Sequence, residues 1–146
     1  MRGVQNEKYG YIYNPWSNGK RTFKSETMNG LTLNAMREAA KTDPAIAERV
    51  DLFLHRVPEE FFDYEKDPDA LHNLIDDPQY LDIINKFRGL MEKHLRSTND
   101  PVLVPFLSRY DKEVVGEYLT DQDQIVKDRV ARGFYARPGK ELKKQK

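Results

Sequence analysis

The chain has three histidines, His55, His72 and His94, and no two of them stand at the i, i+4 spacing that puts a pair of zinc ligands on one helical face. Each reads more simply as a surface or helix-packing residue. The carboxylates Asp67, Asp69, Asp76 and Asp77 cluster, but the central glycine and terminal glutamate of a calcium-binding EF-hand loop are missing. Helix caps and solvated turns account for them better. Ser17, Ser25, Ser97 and Ser108 stand outside any nucleophile-elbow motif, and neither a Gly-x-Gly-x-x-Gly run nor a Walker lysine pattern occurs. Cysteine is absent, which excludes a thiol nucleophile, an iron–sulfur cluster and a disulfide scaffold built by this chain. Tyr9, Tyr11 and Tyr13 beside Lys8, with Lys20 and Arg21 near Trp16, have the make-up of a face that binds a sugar or a nucleic-acid strand. Alternating aromatics on a strand pack a sheet more often than they bind a ligand. Residue types and spacing alone therefore yield no catalytic constellation and no metal site.

The elements that would carry these side chains are legible from patterning. Gly3–Gln5 and Tyr9–Tyr13 predict two strands, with Asn6–Lys8 as a hairpin turn and Asn14-Pro15 as a stop. Positions 16–30, with Ser-Asn-Gly and Asn-Gly, read as an irregular loop. Thr32 is expected to cap a helix through Ala40. Asp43-Pro44 starts a second, because an aspartate accepts the orphan N–H groups and proline at the first helical position loses nothing. Ile46, Val50, Phe53 and Leu54 then share one helical face. Glu60–Tyr64 predicts a third strand, and Asp67-Pro68 a helical turn running to Leu74. Asp77-Pro78 opens the longest amphipathic stretch, to about Arg96, with a stripe of Tyr80, Ile83, Ile84, Phe87, Leu90, Met91, His94 and Leu95. Beyond the apolar run Val102–Phe106, Asp111–Leu119 and Asp121–Arg132 read as two more helices. The basic tail from Arg137 is expected to be disordered.

Composition narrows the class. The 146 residues fit one domain. Apolar residues make up 38 % and charged residues 33 %, polar for a globular protein, yet 11 % aromatics argue for an ordered core. Lys+Arg 24 against Asp+Glu 24 leaves a formal charge of zero, so no global basic field draws nucleic acid. No run approaches the length of a membrane span, and the N-terminal residues lack the apolar stretch of a signal peptide.

Two segments carry a more definite likeness. Residues 1–14, Met-Arg-Gly-Val-Gln-Asn-Glu-Lys-Tyr-Gly-Tyr-Ile-Tyr-Asn, resemble the sulfatase C-terminal run M-R-x-V-(R/Q)-x-x-x-Y-x-x-I-x-N. Residues 58–74, Pro-Glu-Glu-Phe-Phe-Asp-Tyr-Glu-Lys-Asp-Pro-Asp-Ala-Leu-His-Asn-Leu, resemble its partner run P-E-E-L-Y-D-L-x-x-D-P-x-E-x-x-N-L. The helix from Asp77 and the ending Thr98-Asn99-Asp100-Pro101 fit as well. The long insert between the runs is most similar to the heparan N-sulfatase (N-sulfoglucosamine sulfohydrolase) branch. The likeness covers about residues 1–106. Phe62, Tyr64 and Ala70 depart from the family's preferred Tyr, Leu and Glu, which bears more on the branch than on the family.

The resemblance implies an α+β fold: a small antiparallel sheet with a long amphipathic helix packed on it, and additional helices in the insert and at the C-terminus. Residues 1–106 would form the sulfatase-like subdomain, 107–136 a helical extension and 137–146 the basic tail. The family's formylglycine, made from Cys or Ser in C/S-x-P-x-R, and its calcium site belong to a larger N-terminal domain, and this chain has neither motif nor ligand set. No catalytic and no metal residue carries over. The chain alone should be inactive, with Met1 matching an internal methionine of a longer enzyme, whether by a split gene or a misassigned start. Arg2, at the family's M-R position, is the first candidate for touching a sulfated sugar, with a domain-tying salt bridge as the plainer alternative. Trp16, Lys20 and Arg21 on the insert loop come second. The expected partners are the N-terminal sulfatase domain and, through an exposed sheet edge, a second copy of the chain, most simply as a dimer. A full-length enzyme of this kind is expected in a periplasmic, secreted or lysosome-like compartment. The competing reading is a standalone non-catalytic binding or assembly module.

Overall fold

The computed structural model describes residues 1–23, 28 and 30–134. Strands β1 (Arg2–Gln5), β2 (Tyr9–Tyr13) and β3 (Glu59–Asp63) form an antiparallel sheet in the order β1-β2-β3. Asn6 makes the first turn: its Oδ1 accepts from the backbone N–H of Lys8 (2.9 Å) and Tyr9 (2.7 Å), as expected of an Asn that imitates backbone in a turn. The register pairs Tyr9 with Asp63, Tyr11 with Phe61 and Tyr13 with Glu59, so these six side chains share one face. Gly10, Ile12, Glu60 and Phe62 share the other.

The first face is covered by α3 (Leu81–Ser97), which follows a 3-10 turn at Pro78–Tyr80. Asp77 caps that turn through the Gln79 N–H (2.9 Å). Ile84, Phe87, Met91 and Leu95 are the buried residues of α3, and they meet Tyr11, Tyr13, Phe61, Tyr80, Val102 and Phe106 in the main core. The aromatic rings lock edge to face. Phe87 stands 5.8 Å from Phe61 and 6.2 Å from Tyr9, near-perpendicular to both. Two members of the expected stripe fall away from the core. Leu90 is 52 % exposed and His94 is exposed. At 3.6 residues per turn the buried set is spaced 3, 4 and 4, and Leu90 sits more than about a quarter turn from its centre.

The second face carries the insert. Helices α1 (Leu31–Ala39) and α2 (Pro44–His55) pack on each other, and Leu52 and Phe53 of α2 share a cavity with Ile12 and Phe62. Asp43 caps α2 through the N–H groups of Ala45 (2.9 Å) and Ile46 (3.3 Å), as the Asp-Pro signal predicts. The cap of α1 is Gly30, with Thr32 already inside the helix. Gly10 on this face leaves room for its neighbour: a Cβ there would fall 1.9 Å from the Tyr64 hydroxyl, so a larger residue displaces the Tyr64 ring.

Residues 64–76 differ from expectation. They form turns, with no helix after Asp67-Pro68. The reason lies at the outer edge of β3. Leu74 N–H donates to the Phe61 carbonyl (2.8 Å), Asn73 Oδ1 accepts from Phe61 N–H (2.9 Å), and Asn73 Nδ2 donates to the Glu59 carbonyl (3.2 Å). Drawing the chain back to that edge takes a tight turn, with Ala70 at φ +51° and Asp67 Oδ2 accepting from His72 N–H (2.7 Å).

The C-terminal part also departs in one respect. After α4 (Leu103–Leu107), a single helix α5 (Lys112–Ala131) replaces the two expected. Asp111 caps it, while Asp121 does not interrupt it. Thr120 is accommodated by donating its hydroxyl to the Gly116 carbonyl (3.0 Å). Leu119 is buried and Tyr118 packs against the main core. The expected tail 137–146 lies outside the described residues. No helix among the described residues is long and apolar enough to cross a membrane.

Candidate functional site

The four residues singled out from sequence do not converge on one another as a cluster of shared contacts. Arg2, on β1, forks onto Asp100, which follows α3: Nε to Oδ2 is 2.6 Å and Nη2 to Oδ1 is 3.1 Å. The Asp100 hydrogen bond raises the guanidinium above its ordinary pKa, and Arg2 in turn holds Asp100 below the usual carboxylate range. Asp100 Oδ1 also accepts from Val102 N–H (2.8 Å), so this pair ties the first strand to the turn after the long helix. Trp16 is half-buried and stacks on Phe23 (5.5 Å), which meets Phe53 of α2 edge-on (6.2 Å). It anchors the insert loop. Lys20 is exposed. Arg21 forks onto Asp123 of α5 with distances of 2.9 and 2.6 Å, pinning the loop to the C-terminal helix. Both partners are substantially exposed, so that pair contributes on the order of 0–1 kcal/mol.

Denser charge constellations lie where sequence offered no signal. On the α3 side of the sheet, Glu59 is only 8 % exposed and gathers four partners. Its carboxylate accepts from Tyr11 hydroxyl (2.6 Å), from Arg88 Nε (2.9 Å) and Nη2 (3.0 Å), and from Tyr110 hydroxyl (3.3 Å). Arg109 Nε stands 3.2 Å away without hydrogen-bond alignment. Arg109 is held by stacking on Tyr110 (4.7 Å) and Phe106 (5.2 Å). Burial and the adjacent carboxylate push the Tyr11 hydroxyl up, so it stays a donor at any physiological pH.

On the opposite face Glu60, 1 % exposed, bonds Arg56 and accepts from Asn14 Nδ2 (2.8 Å). Arg56 adopts φ +54°, ψ −175°, a region almost confined to glycine that costs of order 1–3 kcal/mol. Arg56 and Glu60 border a cavity of about 250 Å³ with Arg49, Tyr64 and Asp69. Burial raises the Glu60 pKa against the lowering pull of Arg56 and Asn14. The folded state therefore binds the Glu60 proton more tightly than the unfolded chain. Its contribution to stability is greatest below the ordinary glutamate range and is lost as pH rises through the raised value. In thermal melts across about pH 4 to 8, the stability of Glu60→Gln relative to the parent should rise with pH. A difference that stays flat, or falls, refutes the burial assignment.

Chemically these arrangements hold and orient. Ser17 Oγ donates to the His55 carbonyl (3.0 Å) and Ser97 Oγ to the His94 carbonyl (2.9 Å), neither paired with a base. His55 and His72 lie beside Asp51 and Asp67. Among the described residues no group of three His, Asp or Glu side chains gathers as a metal site requires. Ser25 lies outside the described residues. Neither a scan against protein-family models nor a search of curated proteins finds a match to this chain.

Proposed function

We propose that this chain is the C-terminal subdomain of a sulfatase-type hydrolase acting on sulfated sugars, nearest the heparan N-sulfatase branch, with no nucleophile or metal site of its own. One observation carries the reading. The run 58–74 behaves as a unit, because the Asn73-Leu74 end of the run closes the outer edge of the Glu59–Asp63 strand through three hydrogen bonds. That coupling gives a physical reason why the family's P-E-E and N-L ends keep their spacing. The observed α+β architecture, with a long helix on a three-stranded antiparallel sheet, agrees with it.

Under this reading the formylglycine and calcium belong to the preceding domain, since the side chains described here do not fit either. Arg2 then serves as the tie between β1 and the turn at Asp100, and the insert loop bearing Trp16, Lys20 and Arg21 forms a wall beside the sugar. The outer edge of β1 is where the preceding domain, or a second copy of the chain, adds pairing.

The purified 146-residue chain should hydrolyse neither an aryl sulfate nor N-sulfoglucosamine. Turnover that disappears on substituting a residue within the chain overturns the proposal. The decisive companion observation is the DNA upstream. An in-frame C/S-x-P-x-R stretch with Asp and Asn metal ligands supports the hydrolase, and its absence favours a standalone binding or assembly module.

A further inference from the structure

Helix α5 outruns the body that it packs on. Its first half is held: Val114, Val115 and Tyr118 are half-buried and Leu119 is buried. From Asp123 to Phe134 every residue is exposed. This projecting half is nonetheless a finished helix. Gly133, at φ +76°, donates its N–H to the Val130 carbonyl (3.0 Å), and Phe134 N–H reaches back to the Arg129 carbonyl (3.0 Å), the paired bonds of a Schellman cap. It carries Ile125, Val126, Val130 and Phe134 into solvent, at 43, 50, 48 and 76 % exposure. A helix gains most of its stability from packing an apolar face, and these side chains find little cover among the described residues.

The helix is also polarised. Residues 113–123 hold Glu113, Glu117, Asp121 and Asp123 with no lysine or arginine. Residues 124–134 hold Lys127, Arg129 and Arg132 against Asp128 alone. Beside the acidic half lies a groove of about 360 Å³ between α4 and α5. Pro101, Val104, Val114, Tyr118 and Ile125 give it apolar walls, and among the described residues its charged lining is Glu117 and Asp121. The groove thus offers apolar surface and negative charge, while the projecting half of the same helix offers apolar surface and positive charge. One chain cannot bring the two together, because a continuous helix does not fold back on itself. A second copy can.

We propose that two copies of this chain associate through antiparallel α5 helices, the projecting half of each lying along the α4–α5 groove of the other. Tyr118, Asp121, Ile125, Arg129 and Arg132 recur every three or four residues and so share one face of the helix. A two-fold axis beside Ile125 sets Ile125 against its own counterpart, Asp121 against Arg129 of the second copy and Tyr118 against Arg132 of the second copy. Such a contact uses the same patch on both chains and closes as a dimer. Parallel pairing would set acid on acid and base on base. The surface lies beyond residues 1–106 and apart from the β1 edge, so it does not depend on the hydrolase reading.

Sedimentation of the full 146-residue chain over a dilution series reads the association. The contact is small, so the mass should rise from one chain to two with a midpoint on the order of 100 µM. Ile125→Glu should weaken association about tenfold or more and leave the melting temperature unchanged, because the side chain is exposed in the single chain. Arg129→Glu and Asp121→Arg should each weaken it roughly fivefold, and the two together should restore it to within about twofold of the parent. The chain has no cysteine, so Ile125→Cys probes the axis cleanly: under mild oxidation it should form a disulfide-linked dimer at least about tenfold faster than Lys86→Cys on the exposed side of α3. Three results overturn the proposal. A mass that stays at one chain to about 500 µM leaves the projecting half to a different protein or domain. Association unchanged in Ile125→Glu places the contact elsewhere, as at the β1 edge. Failure of the double charge variant to restore association rules out the antiparallel register.

Discussion

Phe87→Ala should lower the stability of the folded chain by about 3–5 kcal/mol, while Lys86→Ala, one position earlier on the same helix, should change it by no more than about 0.5 kcal/mol. Phe87 is 3 % exposed and its ring is the hub on which α3 meets the sheet, edge-on to Phe61 and Tyr9. Truncation removes the buried ring and leaves a cavity that Ile84 and Met91 are too constrained to fill. Lys86 is exposed. Urea unfolding followed by far-UV circular dichroism reads both values. Leu90→Ala is the informative third variant. Its sequence pattern places it in the core stripe, and its 52 % exposure predicts a loss well below that of Phe87. Equal losses for Phe87 and Lys86 would mean that α3 presents another face to the sheet.

Glu59→Ala should be the most damaging change to a charged residue, costing about 3–5 kcal/mol. The carboxylate is the single acceptor shared by Arg88, Tyr11 and Tyr110, with Arg109 beside it. Removing it leaves two largely buried guanidiniums uncompensated, with side chains only 16 % and 18 % exposed. Arg88→Ala should cost less, because Glu59 then still faces Arg109. Glu59→Gln should fall between, since an amide oxygen can still accept from Tyr11. A loss in Arg88→Ala equal to or greater than that in Glu59→Ala would show that the carboxylate is not the organising group.

Both effects separate what is readable in a linear pattern from what is not. The strands, the hairpin at Asn6–Lys8, the Asp43 and Asp77 caps and the amphipathic α3 depend on contacts within a few residues. Turn chemistry, helix capping and hydrophobic periodicity act over that range, so sequence reading located them. The structure departs from the local pattern where a distant partner overrides it. Asp67-Pro68 has the form of a helix start, yet the segment turns back because Asn73 and Leu74 bond the edge of β3. Asp121 has the form of a cap, yet α5 runs through it and packs by Leu119 and Tyr118 on the preceding helix and core. Ile12 alternates with the tyrosines of its strand, so the register puts it on the face opposite α3, with Glu60 and Phe62.

By itself the sequence determined the class of this protein: an α+β domain with a cysteine-free, charge-balanced chain, a tyrosine-rich strand and one long amphipathic helix. It also nominated Arg2, Trp16, Lys20 and Arg21 as candidate site residues. Only the tertiary structure decided what those residues touch. Arg2 meets Asp100 at a separation of 98 residues, Arg21 meets Asp123 at 102, and Glu59 joins Arg88 and Tyr110 at 29 and 51. An ion pair leaves no periodic trace in the sequence, because its two members need share no spacing rule. They are brought together only when the sheet and α3 bury their common face, and burial then turns a dispersed set of charges into a few paired clusters.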